Sequence, residues 1–387
     1  MTPSLIYMNN AATTWPKPSC VSAAVNEALQ LPAFDAGRTT GRCEVIDYVE
    51  LARSRVAEHF HIKIPEHIVF THNATDALNI LIAGFIRKNP HCHAVATALD
   101  HNSVLRPLHE YARSGDISLS IADFTNGHVT PELLQEKLTK DTKLVVISHA
   151  SNVLGSLQHV EEIGKLLHDL GIFFIVDGAQ TAGHLDIDIP RLSADAYVFT
   201  GHKALLGISG TGGFYLKEAN SVASTRFGGT GTKSRELYHP EELPEKFETG
   251  THNHVGLAAL AAGIRYLEEH GIRSFQNKEL RQTNMIIRGL TEEPNITIHY
   301  HTPEVPVISF NIDTLSNDEV GFILARKFGI VTRTGLHCAP LVHEKIDDGK
   351  GSVRLSLSCM TTDEECEQTI HAIQEVAGSA VARLHSA

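Results

Sequence analysis

The sequence predicts an α/β protein in which a mostly parallel sheet is followed by a smaller α+β region. Four short apolar runs are typical of buried strands, and they span residues 93–99, 143–148, 172–177 and 196–200. Between the second and third runs lies an amphipathic helical pattern, whose apolar face consists of Val160, Ile163, Leu166, Leu167 and Leu170. Gly171 is expected to end that helix. Strands that alternate with helices indicate a parallel sheet with right-handed crossovers.

An alanine-rich helical pattern at residues 257–267 is expected to lead away from this sheet. After it, two strands and one helix of a smaller α+β unit are predicted at residues 307–312, 352–357 and 319–328. We therefore expect a large domain over residues 15–260, and a small domain formed by residues 1–14 and 261–387. No linker rich in proline or serine marks the boundary.

The composition is that of an ordered globular chain. Of its 387 residues, 42% are hydrophobic and 20% are charged, with no long block of one charge sign. The formal net charge of -12 and the lack of a basic cluster argue against a nucleic-acid partner. No run approaches the roughly 20 apolar residues that span a bilayer, and no basic segment followed by an apolar one opens the chain. We therefore expect a cytoplasmic protein with no membrane partner.

Cysteine and histidine are the residues to examine for a metal centre. The six cysteines lie far apart without a CxxC pair, which favours reduced thiols and gives no metal-finger spacing. Histidine is unusually frequent, at 24 residues, but no HxxxH or HExxH pattern occurs. The sequence therefore favours surface and capping histidines over a metal site.

Lys203 and Asp177 are the two residues that best indicate a chemistry. Asp177 ends the apolar run at residues 172–177, and Lys203 follows 26 residues later in Thr200-Gly201-His202-Lys203. A lysine amine can form a Schiff base with an aldehyde, and an aspartate can keep a pyridinium nitrogen protonated so that the ring accepts electrons. Ligands of parallel sheets bind at the carboxyl ends of the strands, where both residues are expected. The pair therefore predicts a pyridoxal 5'-phosphate site.

Phosphate-binding residues are expected near the same sheet edge. Ala74 and Thr75 follow the strand-like residues 68–70 and open an apolar helical run, whose first amides attract anions. Thr200 and His202 precede the lysine and are expected to complete the phosphate site. Taken alone, each of these residues is more typical of an ordinary helix N-terminus or of a satisfied structural position.

Three more polar residues follow predicted strands. His101 comes just after the run at residues 93–99, and an imidazole there can stack on an aromatic ring or move protons. Asn152 and Gln180 follow two other strand ends, where either amide can hydrogen-bond a phenolic oxygen. Structural roles are the open alternative, because histidine is abundant in this chain and both amide types are common in turns.

The chain contains eight short motifs that are specific when they are taken together and in this order. They are Asn10-Ala11-Ala12-Thr13-Thr14, Asn73-Ala74-Thr75-Asp76, Asp100-His101-Asn102-Ser103, Ser151-Asn152-Val153-Leu154-Gly155, Asp177-Gly178-Ala179-Gln180, Thr200-Gly201-His202-Lys203, Glu248-Thr249-Gly250-Thr251 and Arg333-Thr334-Gly335-Leu336-His337-Cys338-Ala339. With these motifs the chain resembles the class V pyridoxal phosphate enzymes of fold type I and, within them, the cysteine desulfurases. The resemblance spans nearly the whole chain. It implies a homodimer with active sites at the interface. It also implies a large domain, in which helices flank a mostly parallel seven-stranded sheet, and a smaller α+β carboxyl-terminal domain.

The resemblance also implies a role for each site residue. Lys203 would form the Schiff base, Asp177 would pair with the pyridinium nitrogen, and His101 would stack on the ring and carry protons. Gln180 and Asn152 would hold the ring oxygen or the substrate. The phosphate would be bound by Ala74, Thr75, Thr200 and His202, with Thr251 reaching across from a second subunit.

Cys338 resembles the nucleophilic cysteine of the short-loop, Suf-like branch of the family. Its surroundings contain glycine and proline and are therefore predicted to form a loop. His337 and Arg333 are expected to favour the thiolate, which is the reactive form. Arg354 matches the arginine that binds the substrate carboxylate, and its planar guanidinium suits a bidentate contact.

The resemblance implies conversion of L-cysteine to L-alanine, with a persulfide on Cys338 for transfer to a sulfur acceptor, as in iron-sulfur cluster assembly. Leu336 and Asn102 stand where the Suf-like branch usually has histidine, so the substrate preference is open. Selenocysteine lyase or cysteine sulfinate activity is a close alternative. A class V aminotransferase of the same fold is a second alternative, and it would have no use for Cys338. A non-catalytic, histidine-rich metal-binding or scaffold protein is a third alternative. It would carry no yellow chromophore, or one that L-cysteine does not change.

Overall fold

The computed structural model describes residues 5–32 and 46–384, so that Cys43 lies outside the described residues. The strands within these ranges are β1 Ile6–Tyr7, β2 Ile68–Thr71, β3 His93–Thr97, β4 Ser118–Ala122, β5 Thr142–Ser148, β6 Phe173–Asp177, β7 Ala196–Thr200, β8 Gly212–Leu216, β9 Ile296–Ile298, β10 Val307–Ile312, β11 Ile330–Val331, β12 Arg333–Gly335 and β13 Ser352–Ser356. The helices are α1 Ser19–Gln30, α2 Tyr48–His59, α3 Ala74–Lys88, α4 Asn102–Ser114, α5 Pro131–Gln135, α6 Val160–Asp169, α7 His254–His270, α8 Ile272–Thr291, α9 Asn317–Phe328, α10 Pro340–Ile346 and α11 Asp363–Leu384. Each strand and helix predicted above is present, with bounds that agree to within three residues. Among the described helices, none has the length and apolarity needed to cross a bilayer.

Seven strands form the large sheet, in the order β2-β8-β7-β6-β5-β3-β4. The five strands from β7 to β4 in that order run parallel, whereas β8 pairs antiparallel with both of its neighbours. Only residues 201–211 join β7 to β8, and a parallel connection needs a crossover of about a dozen residues or more. The predicted mostly parallel, seven-stranded sheet is confirmed.

The central strands are apolar on both faces of this sheet. All five residues of β6 and all five of β7 are buried. Along β6, Phe174 and Val176 pack into one hydrophobic core, and Phe173 and Ile175 pack into the other. Alternate side chains of a strand point to opposite faces, so a continuous apolar run is what a sheet covered by helices on both sides requires.

A second sheet follows, with four antiparallel strands in the order β12-β13-β10-β9. Helices α8, α9 and α11 pack against it around a third core that includes Phe310 and Leu324. The start of the described chain lies here as well, because β1 pairs in parallel with β11. Residue 260 lies inside α7, whose Leu260 and Ile264 pack into a core of the large sheet. The division of the chain into two domains stays a prediction.

One expectation about helix α6 was wrong. Val160, Ile163 and Leu167 are buried as predicted, but Leu170 is 55% exposed. The helix ends one residue before Leu170, which therefore no longer lies on its apolar face. Gly171 follows with a φ of +66°, a conformation that glycine adopts without steric cost, and the chain then enters β6.

Candidate active site

Polar residues gather at the edge of the large sheet where its parallel strands end. β6 ends at Asp177 and β7 at Thr200, and the segments after β3 and β5 carry His101 and Asn152. A cavity of about 460 Å³ lies at this edge. Its lining residues include Ala74, Thr75, His101, Asn152, Asp177, Gln180, Thr200, His202, Lys203, Arg333, His337 and Arg354. The structure therefore brings together every predicted site residue except Cys338 and Thr251.

Lys203 lies just beyond β7, in a turn in which its carbonyl oxygen accepts the amide of Leu206 at 2.9 Å. Its side chain lines the cavity, and the surrounding protein shields the amine from bulk water. This desolvation lowers the pKa of Lys203 to about 8. The carboxylate of Asp177 opposes the shift, while the charges of Arg354 and Arg333 add to it. Lys203 therefore keeps a sizeable fraction of neutral, nucleophilic amine near pH 8.

Asp177 is buried at the end of β6 and lines the same cavity. Burial raises the pKa of its carboxyl group. The amide of Ala179, which donates to Oδ1 at 3.0 Å, and the charge of Lys203 both lower it. A carboxylate in this position can stabilise a positively charged ring nitrogen.

Helix α3 begins at the cavity. Asn73 caps it, because Oδ1 of Asn73 accepts the amide of Asp76 at 2.9 Å. Ala74 and Thr75 form the first turn and line the cavity. The first amides of a helix have no partner within it and attract anions. The start of α3 is thus suited to a phosphate group.

Thr200 and His202 add two buried polar atoms without partners, the Oγ1 of Thr200 and the Nδ1 of His202. Burial lowers the pKa of His202 to about 4, so its ring is neutral at pH 7. The backbone of His202 is fixed, because its carbonyl oxygen accepts from Thr13 Oγ1 at 3.0 Å and from Lys17 Nζ at 2.8 Å. Burying a polar atom without a hydrogen-bond partner costs about 1–3 kcal/mol. These two atoms therefore indicate a ligand that supplies their partners.

His101 is the N-cap residue of α4. Its Nδ1 accepts the backbone amide of Ser103 at 3.0 Å, and the hydroxyl of Ser103 lies 2.8 Å from the same nitrogen. Burial, together with the charge of Lys203, lowers the pKa of His101 to about 3. A neutral ring whose Nδ1 accepts a hydrogen bond carries its proton on Nε2. His101 therefore offers the site a neutral imidazole with an Nε2–H donor.

Arg354, on β13, is a buried cation that lines the cavity. Its Nη1 donates to the carbonyl oxygen of Asn152 at 2.9 Å and its Nη2 to Oδ1 of Asn9 at 3.4 Å, while Nε has no partner. Burial, with a contribution from Arg333, lowers the pKa of Arg354 to about 9. A buried guanidinium is stable only when paired, and a carboxylate is its best bidentate partner. The site therefore fits the carboxylate of a substrate.

Asn152 and Gln180 donate their side-chain amides to the protein itself. Asn152 Nδ2 donates to the carbonyl oxygen of His337 at 2.7 Å, and Gln180 Nε2 donates to that of Ala11 at 3.2 Å. Both residues still line the cavity. Their contacts with a ring oxygen or a substrate stay predictions, whereas Asn152 visibly ties the edge of the large sheet to the loop that carries Cys338.

Cys338 lies in the predicted loop, between β12 and α10. It does not line the cavity, but Nη2 of the cavity residue Arg333 donates to its Sγ at 3.4 Å. The backbone amide of Asn102 donates to the carbonyl oxygen of Cys338 at 2.7 Å. His337 and Cys338 both have positive φ, 49° and 60°, which costs about 1 kcal/mol or more for such residues. Hydrogen bonds thus hold the loop in a strained conformation.

The two neighbours that were expected to favour the thiolate behave differently. Arg333 places a guanidinium N–H 3.4 Å from Sγ of Cys338. His337 adds no charge, because burial and the charge of Arg354 lower its pKa to about 2 and keep the ring neutral. Of the two residues, only Arg333 places a charged group beside Sγ, and its effect on the thiol stays a prediction.

Thr251 lies away from this cavity. It lines a separate one of about 70 Å³, together with Thr71, Asp76 and Arg226. Its expected contact with the phosphate of a second subunit stays a prediction.

Asp100 and Asn9 support the site, although the sequence reasoning assigned neither a role. The buried carboxylate of Asp100 accepts the amides of Thr97 at 2.7 Å and Ser148 at 2.6 Å, and so joins the ends of β3 and β5 next to His101. An acidic residue directly after an apolar strand was the available signal, because burial of such a residue requires several donors. Asn9 contacts Arg354 from the other end of the chain, and no local pattern points to that contact.

Fold and site together define a class of protein. The family named Aminotransferase class-V matches residues 6–369. The chain belongs to the class V aminotransferase family. Within that family, the chain is similar to proteins named cysteine desulfurase or probable cysteine desulfurase. The probable cysteine desulfurase of Methanothermobacter thermautotrophicus is 32% identical over 96% of this chain and 95% of the relative.

Solved structures agree with this placement. The apo structure of the cysteine desulfurase from Thermococcus onnurineus is 31% identical and superposes with a TM-score of 0.90, covering 97% of this chain and 95% of that one. The Escherichia coli cysteine desulfurase CsdA has a TM-score of 0.85 at 22% identity, over 96% of this chain and 94% of that chain, and so shows the shared fold.

The family implies pyridoxal 5'-phosphate as cofactor. The cavity fits that group, because Lys203 supplies an amine of lowered pKa and Asp177 a carboxylate for a ring nitrogen. The partnerless Oγ1 of Thr200 and Nδ1 of His202, beside the start of α3, match a phosphate. No group of three His, Cys, Asp or Glu side chains in residues 5–32 and 46–384 is arranged to hold a metal ion.

Proposed function

We propose that this protein is a pyridoxal phosphate-dependent cysteine desulfurase, which converts L-cysteine to L-alanine and leaves the sulfur on Cys338 as a persulfide. The contact of Arg333 with Cys338 carries the proposal, because Arg333 Nη2 lies 3.4 Å from Sγ while Arg333 itself lines the cavity that contains Lys203. A cysteine with a cationic partner beside such a cavity is suited to attack a substrate sulfur. An aminotransferase would need no such cysteine.

The bound cofactor would supply an electron-accepting ring that makes the α-proton of an attached amino acid acidic. Lys203 would anchor it through its amine, which the lowered pKa keeps partly neutral. Asp177 would stabilise a protonated ring nitrogen from the end of β6. Thr200, His202 and the first turn of α3 would hold the phosphate. The phosphate would supply hydrogen-bond partners for Oγ1 of Thr200 and Nδ1 of His202.

Arg354 would bind the carboxylate of L-cysteine. Its Nε is the buried donor that still needs a partner, and Asn152 and Asn9 already fix the orientation of the guanidinium plane. A carboxylate held in this way directs the amine and the thiol of the substrate to defined places in the cavity. Such orientation is one of the larger contributions to enzymatic rate.

Lys203 would move a proton, and His101 would donate a hydrogen bond to the substrate. The free amine of Lys203 is a base inside the cavity, and the Nε2–H of His101 can donate a hydrogen bond to the substrate. Desolvation and the surrounding arginines disfavour positive charge on both groups, which keeps His101 neutral and Lys203 partly neutral.

The sulfur step balances without an external oxidant or reductant. The Cβ–S bond of L-cysteine breaks, an S–S bond forms at Sγ of Cys338, and the protons of the substrate and the Cys338 thiol are retained. L-cysteine plus the Cys338 thiol therefore gives L-alanine plus a Cys338 persulfide. A thiol of an acceptor protein would then take the terminal sulfur.

We also propose a homodimer in the cytoplasm. Thr251 lies outside the cavity of its own chain, which suits a contact with the phosphate bound by a second copy. The described cysteines are free thiols, as is usual in a reducing compartment.

The test compares native protein with Cys338→Ala, at full cofactor occupancy and with a thiol reductant, for alanine and sulfide formed from L-cysteine. Cys20→Ala is the matched control, because Cys20 is also a half-buried thiol but lies on α1. We expect the rate to fall about 100-fold or more in Cys338→Ala and to stay unchanged in the control. Equal rates in both variants, with amino transfer to an oxo acid, would instead indicate an aminotransferase. Alanine formed from selenocysteine but not from cysteine would indicate a selenocysteine lyase.

A further inference from the structure

The carbonyl oxygen of His202 is bound by a short segment near the start of the chain, to which the proposed chemistry gives no role. Residues 9–17 form this amino-terminal strap, and its Thr14 donates a backbone amide to that oxygen at 3.1 Å. Oγ1 of Thr13 donates to the same oxygen at 3.0 Å, and Nζ of Lys17 donates to it at 2.8 Å. One carbonyl oxygen therefore accepts three hydrogen bonds from the strap.

Two donors would already satisfy this oxygen, because a carbonyl has two lone pairs. Lys17 supplies a third donor from an unfavourable position, since burial lowers the pKa of its amine to about 8. Satisfying the carbonyl does not account for a partly desolvated lysine at this place. The three contacts instead restrain the peptide that joins His202 to Lys203.

The strap is itself tied to both sheets. The amide of Ala11 donates to Oγ of Ser356 on β13 at 2.8 Å, and the carbonyl oxygen of Ala11 accepts from Nε2 of Gln180, after β6, at 3.2 Å. Within the strap, Oδ1 of Asn10 accepts the amide of Trp15 at 3.1 Å. The strap is thus a fixed support from which Thr13 and Lys17 reach His202.

The side chain of His202 lines the cavity, where its buried Nδ1 has no partner. Burial, with the charges of Lys203 and Lys17, keeps the ring neutral by lowering its pKa. A neutral ring with its proton on Nδ1 can donate to a phosphate oxygen. Nδ1 is the ring nitrogen nearer the backbone, so its direction depends closely on where the backbone is held.

We propose that Thr13 and Lys17 are positioning residues for the cofactor, because they hold the backbone of His202 so that its Nδ1 meets the phosphate group. This role deepens the proposed function and rests on it, since it requires bound pyridoxal 5'-phosphate. Neither Thr13 nor Lys17 lines the cavity, so each acts on the cofactor through His202. A displaced His202 loses its hydrogen bond to the phosphate, while the rest of the site stays in place.

Cofactor binding to the full-length apoprotein tests this role without turnover. The apoprotein is titrated with pyridoxal 5'-phosphate and with pyridoxal, which lacks the phosphate, and the absorbance of the bound ligand gives each Kd. We expect the Kd for pyridoxal 5'-phosphate to rise about tenfold in Lys17→Met and about threefold in Thr13→Val, because a charged donor forms the stronger hydrogen bond. The Kd for pyridoxal should stay within about twofold of native in both variants. An equal rise for the two ligands, or no rise for either, would overturn the proposal.

Lys278→Met is the matched control. Lys278 is also half-buried and donates from Nζ to a backbone carbonyl oxygen at 2.8 Å, but that carbonyl belongs to Cys359, which does not line the cavity. We expect Lys278→Met to keep the native Kd for both ligands. A rise as large as that in Lys17→Met would show that losing any lysine–carbonyl contact weakens binding, and would contradict a specific role for Lys17.

A double-mutant cycle with His202→Phe tests whether Lys17 acts through His202. Once the ring nitrogens are removed, Lys17→Met should raise the Kd for pyridoxal 5'-phosphate further by less than about twofold. Losses that multiply would mean that Lys17 attracts the phosphate by its own charge, and would overturn its positioning role. Failure of the proposed function looks different, because native protein would then bind pyridoxal 5'-phosphate but form no alanine from L-cysteine.

Discussion

The backbone amide of Asn102 donates a hydrogen bond of 2.7 Å to the carbonyl oxygen of Cys338. The bond joins the start of α4, at the edge of the large sheet, to a loop that follows a strand of the second sheet. His101 directly precedes Asn102, so a cavity-lining imidazole and the cysteine are fixed relative to each other. The large sheet therefore helps to set the position of Cys338, the proposed nucleophile.

Asn152 is the second anchor of this loop, and its removal is expected to slow turnover. In Asn152→Ala, the carbonyl oxygen of His337 loses the 2.7 Å hydrogen bond from Nδ2. We expect kcat for alanine formation to fall about tenfold and the free energy of unfolding to fall by about 1–2 kcal/mol. Steady-state kinetics and urea denaturation measure the two effects.

Gln158 supplies the control for that experiment. It is equally buried and donates from Nε2 to the carbonyl oxygen of Gly127 at 3.0 Å, away from the cysteine loop. We expect Gln158→Ala to lose stability with kcat unchanged. A matching loss of kcat in Gln158→Ala would mean that stability, not loop position, limits turnover.

The lowered pKa of Lys203 predicts how the protein without cofactor reacts with an aldehyde. The neutral amine is the reactive form, so the rate should rise with pH and reach half its maximum near pH 8, well below the ordinary lysine value of 10.5. Stopped-flow absorbance with pyridoxal, from about pH 6 to about pH 10, measures this rate, and Lys203→Ala gives the background. A midpoint near the ordinary value would show that the amine is solvated.

The lowered pKa of Lys203 also predicts how the stability of the folded protein changes with pH. The folded state disfavours the charged amine, so Lys203 reduces stability below pH 8, where it is charged in both states. That penalty is relieved as pH rises from about 8 towards 10.5, where the unfolded chain also loses its proton. Urea unfolding of the cofactor-free protein should therefore show a rise in stability over this range that Lys203→Ala lacks.

Much of this arrangement could be predicted from the sequence, because its causes are local. Continuous apolar runs gave the central strands, and the end of such a run at Asp177 placed a carboxylate at the ligand-binding edge. The neutral state of His337 could not be predicted, since burial and Arg354, which is distant in sequence, produce it. The contact between Asn9 and Arg354 likewise depends on the parallel pairing of β1 with β11, which short segments do not signal.

Arg354→Lys is expected to weaken substrate binding more than turnover. A lysine keeps the positive charge but lacks the planar fork that binds a carboxylate through two parallel hydrogen bonds. We expect KM for L-cysteine to rise about tenfold or more, while kcat changes less. Arg265→Lys is the control, because Arg265 is an exposed residue of α7. A fall in kcat with unchanged KM would place Arg354 in the chemical step instead.

Arg53 and Glu248 form a buried bidentate ion pair, with Nη1–Oε1 and Nη2–Oε2 distances of 2.9 Å each. Their side chains are 2% and 4% exposed. Oε1 of Glu248 also accepts the amide of Phe70 at 2.6 Å. Glu248 directly precedes the segment that ends at Thr251, so the pair holds that segment against the large sheet.

Removal of one partner of this pair leaves the other charge buried and uncompensated. Arg53→Leu is therefore expected to lower the free energy of unfolding by about 3–5 kcal/mol, whereas Arg53→Leu combined with Glu248→Leu should be less destabilised than the sum of the single changes. Lys327→Leu is the control, because its pair with Glu375 is more than half exposed and should contribute under about 1 kcal/mol. Urea denaturation of all four variants at one protein concentration gives the comparison. Additive losses at Arg53 and Glu248 would mean that each residue stabilises the fold through its own backbone contacts rather than through the other's charge.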